Sequence, residues 1–484
     1  MTGRRRQRAV RVLALLAVAA VALTACGDEP TAGEAITEGD IAGLPVTHFP
    51  SGLADDAPEP EIDVDNVTDS EADGLATAAS EDLTRYWSDA LPAYFRTVFE
   101  PVERLLSYDP DTDDFTVCGQ SVRGEVNAFY CPAADTLGWD RESLFPLLHD
   151  QFGPMGIVTV MAHEYGHAVQ HRIAERAGIS ANTPTIVKEL QADCFAGNYF
   201  RWLAEGSSDF FELSTSEGVN QALSALHFVR DAPGDLRHDI AAHGTGFDRT
   251  YAFQLGFEKD PTSCADIDEH TVDERSTQFA FSEQDTRRGD VPITAETIEL
   301  ATESLDAAFA DTAAARPRVV ISEDGSCPDG SGTPPASYCP DTNTVSIELS
   351  GLAALGEPID QRAAWSGEPI AGFGDFAAFA VLASRYAMGL QRANGQSLHE
   401  TGAGLRAACY VGSWAAFATE PRADDRILRL SPGDLDEAIL EMLQPESLIA
   451  ANVEGVPAPA GFTRVEALRV GFTEGAGSCP ATFE

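Results

Sequence analysis

The second half of this 484-residue chain repeats the plan of its first half. Four pairs of segments match in order: Ala128–Pro132 and Ala336–Pro340, Met161–Gln170 and Leu382–Gln391, Glu189–Gly197 and Gly404–Gly412, and Gly246–Arg249 and Gly461–Arg464. The cysteines keep the same register, because Cys194 precedes Cys264 by 70 residues and Cys409 precedes Cys479 by 70. A repeat of this length predicts two similar domains. We expect an α+β fold, mainly helical, with an internal duplication over residues 76–285 and 290–484.

The first copy contains an H-E-x-x-H pattern within Met161–Gln170. His163 and His167 are four residues apart, so on a helix they lie on one face about one turn apart. Two neutral imidazoles at that spacing can bind one zinc ion. Glu164 follows the first ligand and can act as general base towards a zinc-bound water. For this motif alone, two unrelated histidines on an exposed helix remain an alternative.

A second cluster supplies the ligand that H-E-x-x-H lacks. Glu189 and Asp193 are also four residues apart and share one helical face. A catalytic zinc takes three protein ligands and leaves the fourth position to water. Glu189 is the predicted third ligand, and Asp193 is predicted to hydrogen-bond a ligand histidine. The alternative arrangement needs a histidine ten residues after the first, where this chain has Ile173.

Comparison of the two halves separates residues of the fold from residues of the site. In the second half the counterparts of His163, Glu164, His167, Glu189 and Asp193 are Ser384, Arg385, Met388, Gly404 and Ala408. The first copy therefore carries the predicted site, and the second is predicted to be a degenerate, metal-free pseudoenzyme domain. Tyr165 and Gln170 have identical counterparts, which favours packing over catalysis for them.

His243 is a further candidate, because its counterpart is Ala458. A peptidase needs a hydrogen-bond donor for the oxyanion of the tetrahedral intermediate, and His243 can supply it from a loop. A surface histidine beside a glycine turn explains the position equally well. His171, His227 and His238 are weaker candidates.

The N-terminus has the form of a lipoprotein signal peptide over residues 1–25. Five arginines precede the apolar run Val12–Leu23, which is too short for a comfortable transmembrane helix. The sequence Leu23-Thr24-Ala25-Cys26 resembles a bacterial lipobox, which predicts lipidation of Cys26 and anchoring on the extracytoplasmic face of the cell membrane. An ordinary secretory cleavage site is the alternative. Residues 26–75 are acidic and read as a flexible tether, and residues 77–107 read as helical with a break or bend at Pro92.

The formal net charge of −45 excludes nucleic acid as a plausible partner. Apart from Cys26 there are eight cysteines, an even number that indicates disulfides outside the cytoplasm. Four cysteines per copy allow three connectivities. The nearest-spacing choice pairs Cys118 with Cys131, Cys194 with Cys264, Cys327 with Cys339, and Cys409 with Cys479. Buried thiols are the alternative.

Several motifs together resemble the bacterial neutral zinc metallopeptidase family. They are Phe129–Pro132, Ala162–Gln170, Glu189–Gly197, His243–Thr245 and Gly256-Phe257. The resemblance covers roughly residues 77–270 and implies a zincin-like domain of the gluzincin type. It implies one Zn²⁺ per chain on His163, His167 and Glu189, with Glu164 as the base and a peptide or protein as substrate. The second copy and the lipobox depart from the single-domain pattern of that family.

The predicted function is hydrolysis of peptide bonds by a membrane-anchored zinc metallopeptidase. The alternative is a non-catalytic lipoprotein, a scaffold or binding protein with a structural zinc. A fourth protein ligand closing the site would favour the scaffold, and an open position would favour the peptidase. Nothing in the sequence indicates an oligomeric state.

Overall fold

The computed structural model describes residues 40–232, 234, 243–275, 289–310, 315–360, 363, 365–366, 370, 372–419 and 428–483. Helices dominate and the sheets are small, which confirms the expected α+β, mainly helical class. The predicted signal peptide and Cys26 lie outside the described residues. Within the described part of the chain, no helix combines the length and apolarity that crossing a bilayer requires.

The first half contains nine short strands and eight helices within the described residues. The strands are β1 (Asp40–Ile41), β2 (Leu44–Pro45), β3 (Gly52–Leu53), β4 (Arg104–Tyr108), β5 (Thr116–Val117), β6 (Gln120–Ser121), β7 (Ala128–Cys131), β8 (Thr136–Asp140) and β9 (Phe211–Glu212). The helices are α1 (Glu71–Phe95), α2 (Leu144–Phe152), α3 (Pro154–Arg172), α4 (Thr185–Ala204), α5 (Glu217–Phe228), α6 (Gly246–Glu258), α7 (Pro261–Ala265) and α8 (Glu269–Arg275).

The described part of the second half contains three strands and seven α-helices. The strands are β10 (Arg318–Ser322), β11 (Ala336–Cys339) and β12 (Thr344–Glu348). The helices are α9 (Ala295–Ala308), α10 (Leu349–Leu355), α11 (Asp375–Ala393), α12 (Thr401–Thr419), α13 (Asp434–Met442), α14 (Gly461–Glu474) and α15 (Cys479–Thr482).

Each half has one three-stranded sheet of the same topology. In the first, β8 lies between β4 and β7, parallel to β4 and antiparallel to β7. In the second, β12 lies between β10 and β11 with the same directions. The segments AFYC and ASYC form the edge strands β7 and β11. The matched segments therefore occupy matched positions in the two sheets.

Two helix pairs cross with their backbones in direct contact. A Cβ atom on Gly256 of α6 would collide with the carbonyl of Cys194 in α4, and one on Gly471 of α14 would collide with that of Cys409 in α12. Only glycine allows so close an approach. The glycines shared by the two halves are thereby explained by helix packing.

The four disulfides have the connectivity predicted from nearest spacing. Their Cα–Cα distances are 6.1 Å for Cys118–Cys131, 5.4 Å for Cys194–Cys264, and 5.5 Å for both Cys327–Cys339 and Cys409–Cys479. The alternative of buried thiols is wrong for these eight residues. Each long bridge joins the helix α4 or α12 to a short helix at the end of its half.

The flexible tether expected over residues 26–75 is wrong from residue 40 onwards. Strand β3 pairs with β9, and the backbone N–H of Thr47 donates to Thr215 Oγ1 at 2.9 Å. Ile41 is fully buried in the core. The acidic composition suggested disorder, but a few apolar side chains and backbone pairing hold this segment on the first half.

Pro92 does not interrupt helix α1. The helix runs from Glu71 to Phe95 and ends when Arg96 adopts a left-handed conformation. The predicted helical stretch to residue 107 is therefore too long, since β4 already begins at Arg104. Pro92 lies in the last turn of the helix, which ends at Phe95.

The two halves cap each other's helices. Asp436 of α13 accepts hydrogen bonds from the backbone N–H groups of Gly246 at 3.1 Å and Phe247 at 2.9 Å, at the start of α6. Reciprocally, Asn220 of α5 accepts from the N–H of Gly461 at 2.8 Å, at the start of α14. Side-chain oxygens at helix N-termini satisfy donors that the helix leaves unpaired. The position of α6 thus depends on both halves.

Candidate metal centre

Helices α3 and α4 bring the three predicted ligands together. Nε2 of His163 lies 3.1 Å from Glu189 Oε2, and Nε2 of His167 lies 3.5 Å from Glu189 Oε1. One donor atom from each of the three residues lies within 4.8 Å of the other two. The i,i+4 spacing places both imidazoles on one face of α3, and that face packs against α4.

The geometry and chemistry of this donor set fit zinc. Ligand atoms about 2.1 Å from a tetrahedral ion lie about 3.4 Å apart, close to the 3.1 and 3.5 Å measured between the imidazoles and Glu189. Two nitrogens and one carboxylate leave a fourth position free, as catalytic zinc sites do. Both imidazoles use Nδ1 for other hydrogen bonds, so the Nε2 lone pairs are the ones available to an ion.

Asp193 orients His163, as the sequence predicts. The Nδ1–H of His163 donates to Asp193 Oδ1 at 2.7 Å. Asp193 is in turn held by a bidentate pair with Arg249 of α6, with Nε and Nη2 each 2.8 Å from a carboxylate oxygen. Asp193 and Arg249 are almost completely buried. A buried, hydrogen-bonded carboxylate fixes the imidazole tautomer and its orientation.

Arg249 is a site residue that sequence reasoning missed. Arg249 ends the G-F-x-R segment Gly246–Arg249, and Arg464 ends the matching segment of the second half. Because an arginine stands at this position in both halves, comparing the halves gave no signal for a role beside the metal ligands. The structure shows instead that the partners differ, because Arg464 donates to the backbone carbonyls of Met442 and Gln444, both at 2.8 Å.

Gln170 also has a role that the internal comparison did not reveal. Its Nε2 donates to the carbonyl of Lys188 at 2.6 Å, which agrees with a packing role between α3 and α4, and its Oε1 also accepts from Nδ1 of His167, the second predicted ligand, at 2.9 Å. In the second half Gln391 contacts Met388, the counterpart of His167, at 3.9 Å. Tyr165 does serve packing, since its hydroxyl donates to the carbonyl of Ser80 at 2.9 Å.

The charges around the ligands favour a cation. Burial lowers the pKa of His163, but the carboxylates of Asp193 and Glu189 raise it more, to about 10. Burial raises the pKa of Glu189, but His167 and His163 hold it well below its usual range. Positive charge is thus stabilised between these groups.

Glu164 lies beside the ligands and is buried. Burial raises the pKa of its carboxyl, opposed by the charges of His163 and His167 and by a hydrogen bond from the backbone N–H of Tyr130. A carboxyl group with a raised pKa is suited to accept and return a proton near neutral pH. The hydrogen bond also ties Glu164 to strand β7.

His243 lines the same cavity as the ligands, although half of its side chain is exposed. Its Nδ1 lies 3.2 Å from Asp231 Oδ1, and its backbone N–H donates to Asp231 Oδ2 at 2.6 Å. Asp231 was not predicted from the sequence. Of the weaker candidates, His171 contacts Tyr130 and His227 is fully buried, while His238 lies outside the described residues.

A cavity of about 540 Å³ opens at the ligands. Strand β7 and helices α3 and α5 form much of its wall. The second half contributes as well, through Ile359, Trp365, Ile370, Leu440 and Gln444. The site is therefore bounded by both halves of the chain.

The corresponding place in the second half is filled by an arginine. Arg385, the counterpart of Glu164, is completely buried and donates to the carbonyls of Asn452 at 2.8 Å and Ala451 at 3.1 Å, and to that of Leu448. Burial lowers the pKa of Arg385 to about 10. A buried guanidinium bonded to carbonyls leaves neither donor atoms nor charge for a metal cation.

Comparison with known proteins places the site in a family. Residues 65–267 match the family described as "Putative neutral zinc metallopeptidase". The uncharacterized protein Rv2575 of Mycobacterium tuberculosis is 30% identical over 211 residues, which are 39% of this chain and 68% of the relative. The uncharacterized protein YpfJ of Escherichia coli is 29% identical over 202 residues, 39% of this chain and 67% of the relative. No solved structure matches the chain. The metal-binding geometry and these matches agree, and the chain belongs to this neutral zinc metallopeptidase family.

Proposed function

We propose that this protein is a zinc metallopeptidase that hydrolyses peptide bonds outside the cytoplasm while anchored to the membrane. The observation that carries the proposal is the cluster of His163, His167 and Glu189 at the wall of a cavity, with Glu164 buried beside it. Among the described His, Cys, Asp and Glu residues this cluster has three members, and all three line the cavity, which leaves a fourth coordination position for water. An open position favours a peptidase over a scaffold with structural zinc.

Zinc held by these three residues would lower the pKa of a water molecule and polarise the scissile carbonyl. Glu164 takes the proton from the attacking water and passes it to the leaving amine. Asp193 and Gln170 keep the Nδ1 protons on His163 and His167, so both ligands present Nε2. Arg249 keeps Asp193 charged and in place.

Two further groups bind the substrate in this proposal. His243, oriented by Asp231, donates a hydrogen bond to the developing oxyanion. An extended peptide adds along the edge of β7 that no other strand of the sheet covers, where Ala128–Tyr130 line the cavity and the N–H of Tyr130 already donates to Glu164. Backbone pairing with a sheet edge binds many peptide sequences, and pockets then give specificity.

The membrane anchor is a lipid on Cys26 in this proposal. Its support is the basic start, the short apolar run and the Leu-Thr-Ala-Cys sequence. The four disulfides agree with an oxidising compartment.

We further infer that residues 290–484 are a degenerate, metal-free copy of residues 76–285. Equal sheet topologies, equal 70-residue disulfides and equal helix crossings support the duplication. Arg385 in the place of Glu164 supports the loss of the zinc site at the corresponding position. The copy then serves to brace α6 through Asp436 and to complete the cavity wall.

The test is zinc content and peptide hydrolysis of wild type and Glu164→Gln. We expect about one zinc per chain in both, with kcat/KM lowered by about 10²–10⁴ in the variant because the general base is lost. Glu175→Gln is the matched control, an exposed carboxylate that follows the same helix, and it should retain wild-type activity. Wild-type rates in zinc-loaded Glu164→Gln, or a wild type without zinc, would overturn the proposal.

A further inference from the structure

We propose that the second half builds a specificity subsite of the peptidase, one that takes an aromatic or large aliphatic side chain of the substrate close to the scissile bond. The subsite consists of Phe152 and Phe228 from the first half and Trp365 and Ile370 from the second. This inference rests on the proposed function, because it names the substrate class of the same site.

Three of these side chains form a continuous row of contacting rings, and Ile370 lines the same cavity. The ring centroids of Phe228 and Trp365 are 4.6 Å apart, and those of Phe152 and Phe228 are 5.4 Å apart. Both pairs are tilted, at 47° and 59°, as contacting aromatic rings prefer. The contact between Phe228 and Trp365 crosses from one half of the chain to the other.

These side chains are open to solvent in a way that core residues are not. Trp365 is 47% exposed and Ile370 is 36% exposed, while Phe152 and Phe228 are half-buried. Clustered, exposed aromatic groups beside a cavity are typical of binding sites. The same cavity is lined by His163, Glu164 and Glu189, so a group that covers the wall occupies the same cavity as the reacting groups.

The charges in the cavity argue for an apolar occupant on this wall. Two arginines also line the cavity, but Arg249 is paired with Asp193 at 2.8 Å and Arg230 with Asp436 at 3.2 Å. Their charges are thus compensated within the protein. The wall offers rings and a branched aliphatic chain, which recognise a substrate side chain by apolar contact.

The experiment uses a peptide panel that varies at one position next to the cleavage site, with Phe, Leu, Gly, Lys or Asp there. The full zinc-loaded chain should prefer Phe and Leu. We expect Trp365→Ala to lower kcat/KM for the Phe peptide about tenfold, the range that an apolar pocket discriminates, and to change the Gly peptide less than twofold. Trp365→Phe should restore the preference.

The matched control is Val456→Ala, which truncates an exposed apolar residue of the second half outside the cavity lining. It should leave the preference unchanged. An equal loss for all peptides in Trp365→Ala, or a preference for Lys that this variant abolishes, would overturn an apolar subsite.

A separate binding measurement distinguishes failure of the subsite from failure of the proposed function. No hydrolysis of any panel peptide by wild type would count against the peptidase. Binding of the same peptides to zinc-loaded Glu164→Gln then tests the subsite by itself. Tighter binding of the Phe peptide, lost in the double variant with Trp365→Ala, supports it, and equal affinity for the Phe and Gly peptides overturns it.

Discussion

One residue type performs two different tasks in the two halves. Arg249 is the fourth residue of α6 and Arg464 is the fourth residue of α14, and both side chains are buried. Arg249 binds the carboxylate that orients His163, whereas Arg464 binds backbone carbonyls because Ala408 stands where the first half has Asp193. The side chain was kept while its partner changed, so its contribution to the metal site depends on Asp193.

This difference predicts unequal effects of the same substitution. Arg249→Lys loses the bidentate geometry on Asp193, so it should weaken zinc binding by about tenfold. Arg464→Lys is the matched control and should leave zinc affinity within about twofold, while both variants lower thermal stability. Competition with a chelator measures the affinity. Equal zinc affinities in the two variants would contradict a positioning role for Arg249.

At the scale of elements, helices α4 and α12 have the same packing and disulfide pattern but differ in their metal-site residues. Each is crossed at a glycine by a partner helix and bridged over 70 residues to a short helix. Only α4 carries Glu189 and Asp193. Removing the long disulfide from each helix in turn therefore distinguishes an effect on the free energy of unfolding from an effect on zinc affinity.

The two 70-residue disulfides, Cys194–Cys264 and Cys409–Cys479, can be removed separately. Replacing Cys194 and Cys264 by Ser, or Cys409 and Cys479 by Ser, should each lower the free energy of unfolding by about 4 kcal/mol, since equal loops are released in the unfolded chain. Only the first pair should also weaken zinc binding, because only α4 holds ligands. Denaturant titration and zinc titration measure the two effects. Loss of zinc affinity in the Cys409 and Cys479 variant would show that the bridge does not act locally.

For the whole molecule, the contact between α6 and α14 joins the halves through a compact charge cluster. Arg469 lies 3.8 Å from both Glu258 and Glu466. One cation faces two acids, and burial together with the charge of Glu258 raises the pKa of Glu466 to about 8. The folded protein therefore keeps a proton here at neutral pH that the unfolded chain releases.

This proton makes stability depend on pH. Ionisation of Glu466 is disfavoured in the folded state, so its contribution is fully present below the usual pKa of 4.5 and is lost as pH rises towards 8. The slope should be at most about 1.4 kcal/mol per pH unit. Glu466→Gln should flatten this part of the curve, measured by urea unfolding between about pH 5 and pH 8.

The exposed Glu474, on the same helix, provides the control. Glu474→Gln should leave the slope of the stability curve unchanged. A slope in Glu466→Gln equal to that of wild type would place the titrating group elsewhere.

The sequence by itself determined the features that spacing encodes. The i,i+4 spacing places His163 and His167 on one face of α3. The same spacing places Glu189 and Asp193 on one face of α4, because helix geometry depends only on local sequence separation. The cysteine spacings identified all four bridges, since the repeat narrowed the choice. The mainly helical α+β class was also predicted from the sequence, whereas the order and directions of the strands were not.

Only the tertiary structure decided which side chains meet across distant segments. Gln170 and Arg249 occur in both halves, and their roles depend on whether a histidine or a carboxylate stands opposite. Residues 40–70 pack on the first half although their composition resembles a tether. Trp365 reaches the cavity beside the first half because the two halves of the chain pack together. Residue spacing acts within one helix, whereas contacts between distant segments depend on the whole fold. The clustering of His163, His167 and Glu189 could therefore be predicted, and the cavity wall could not.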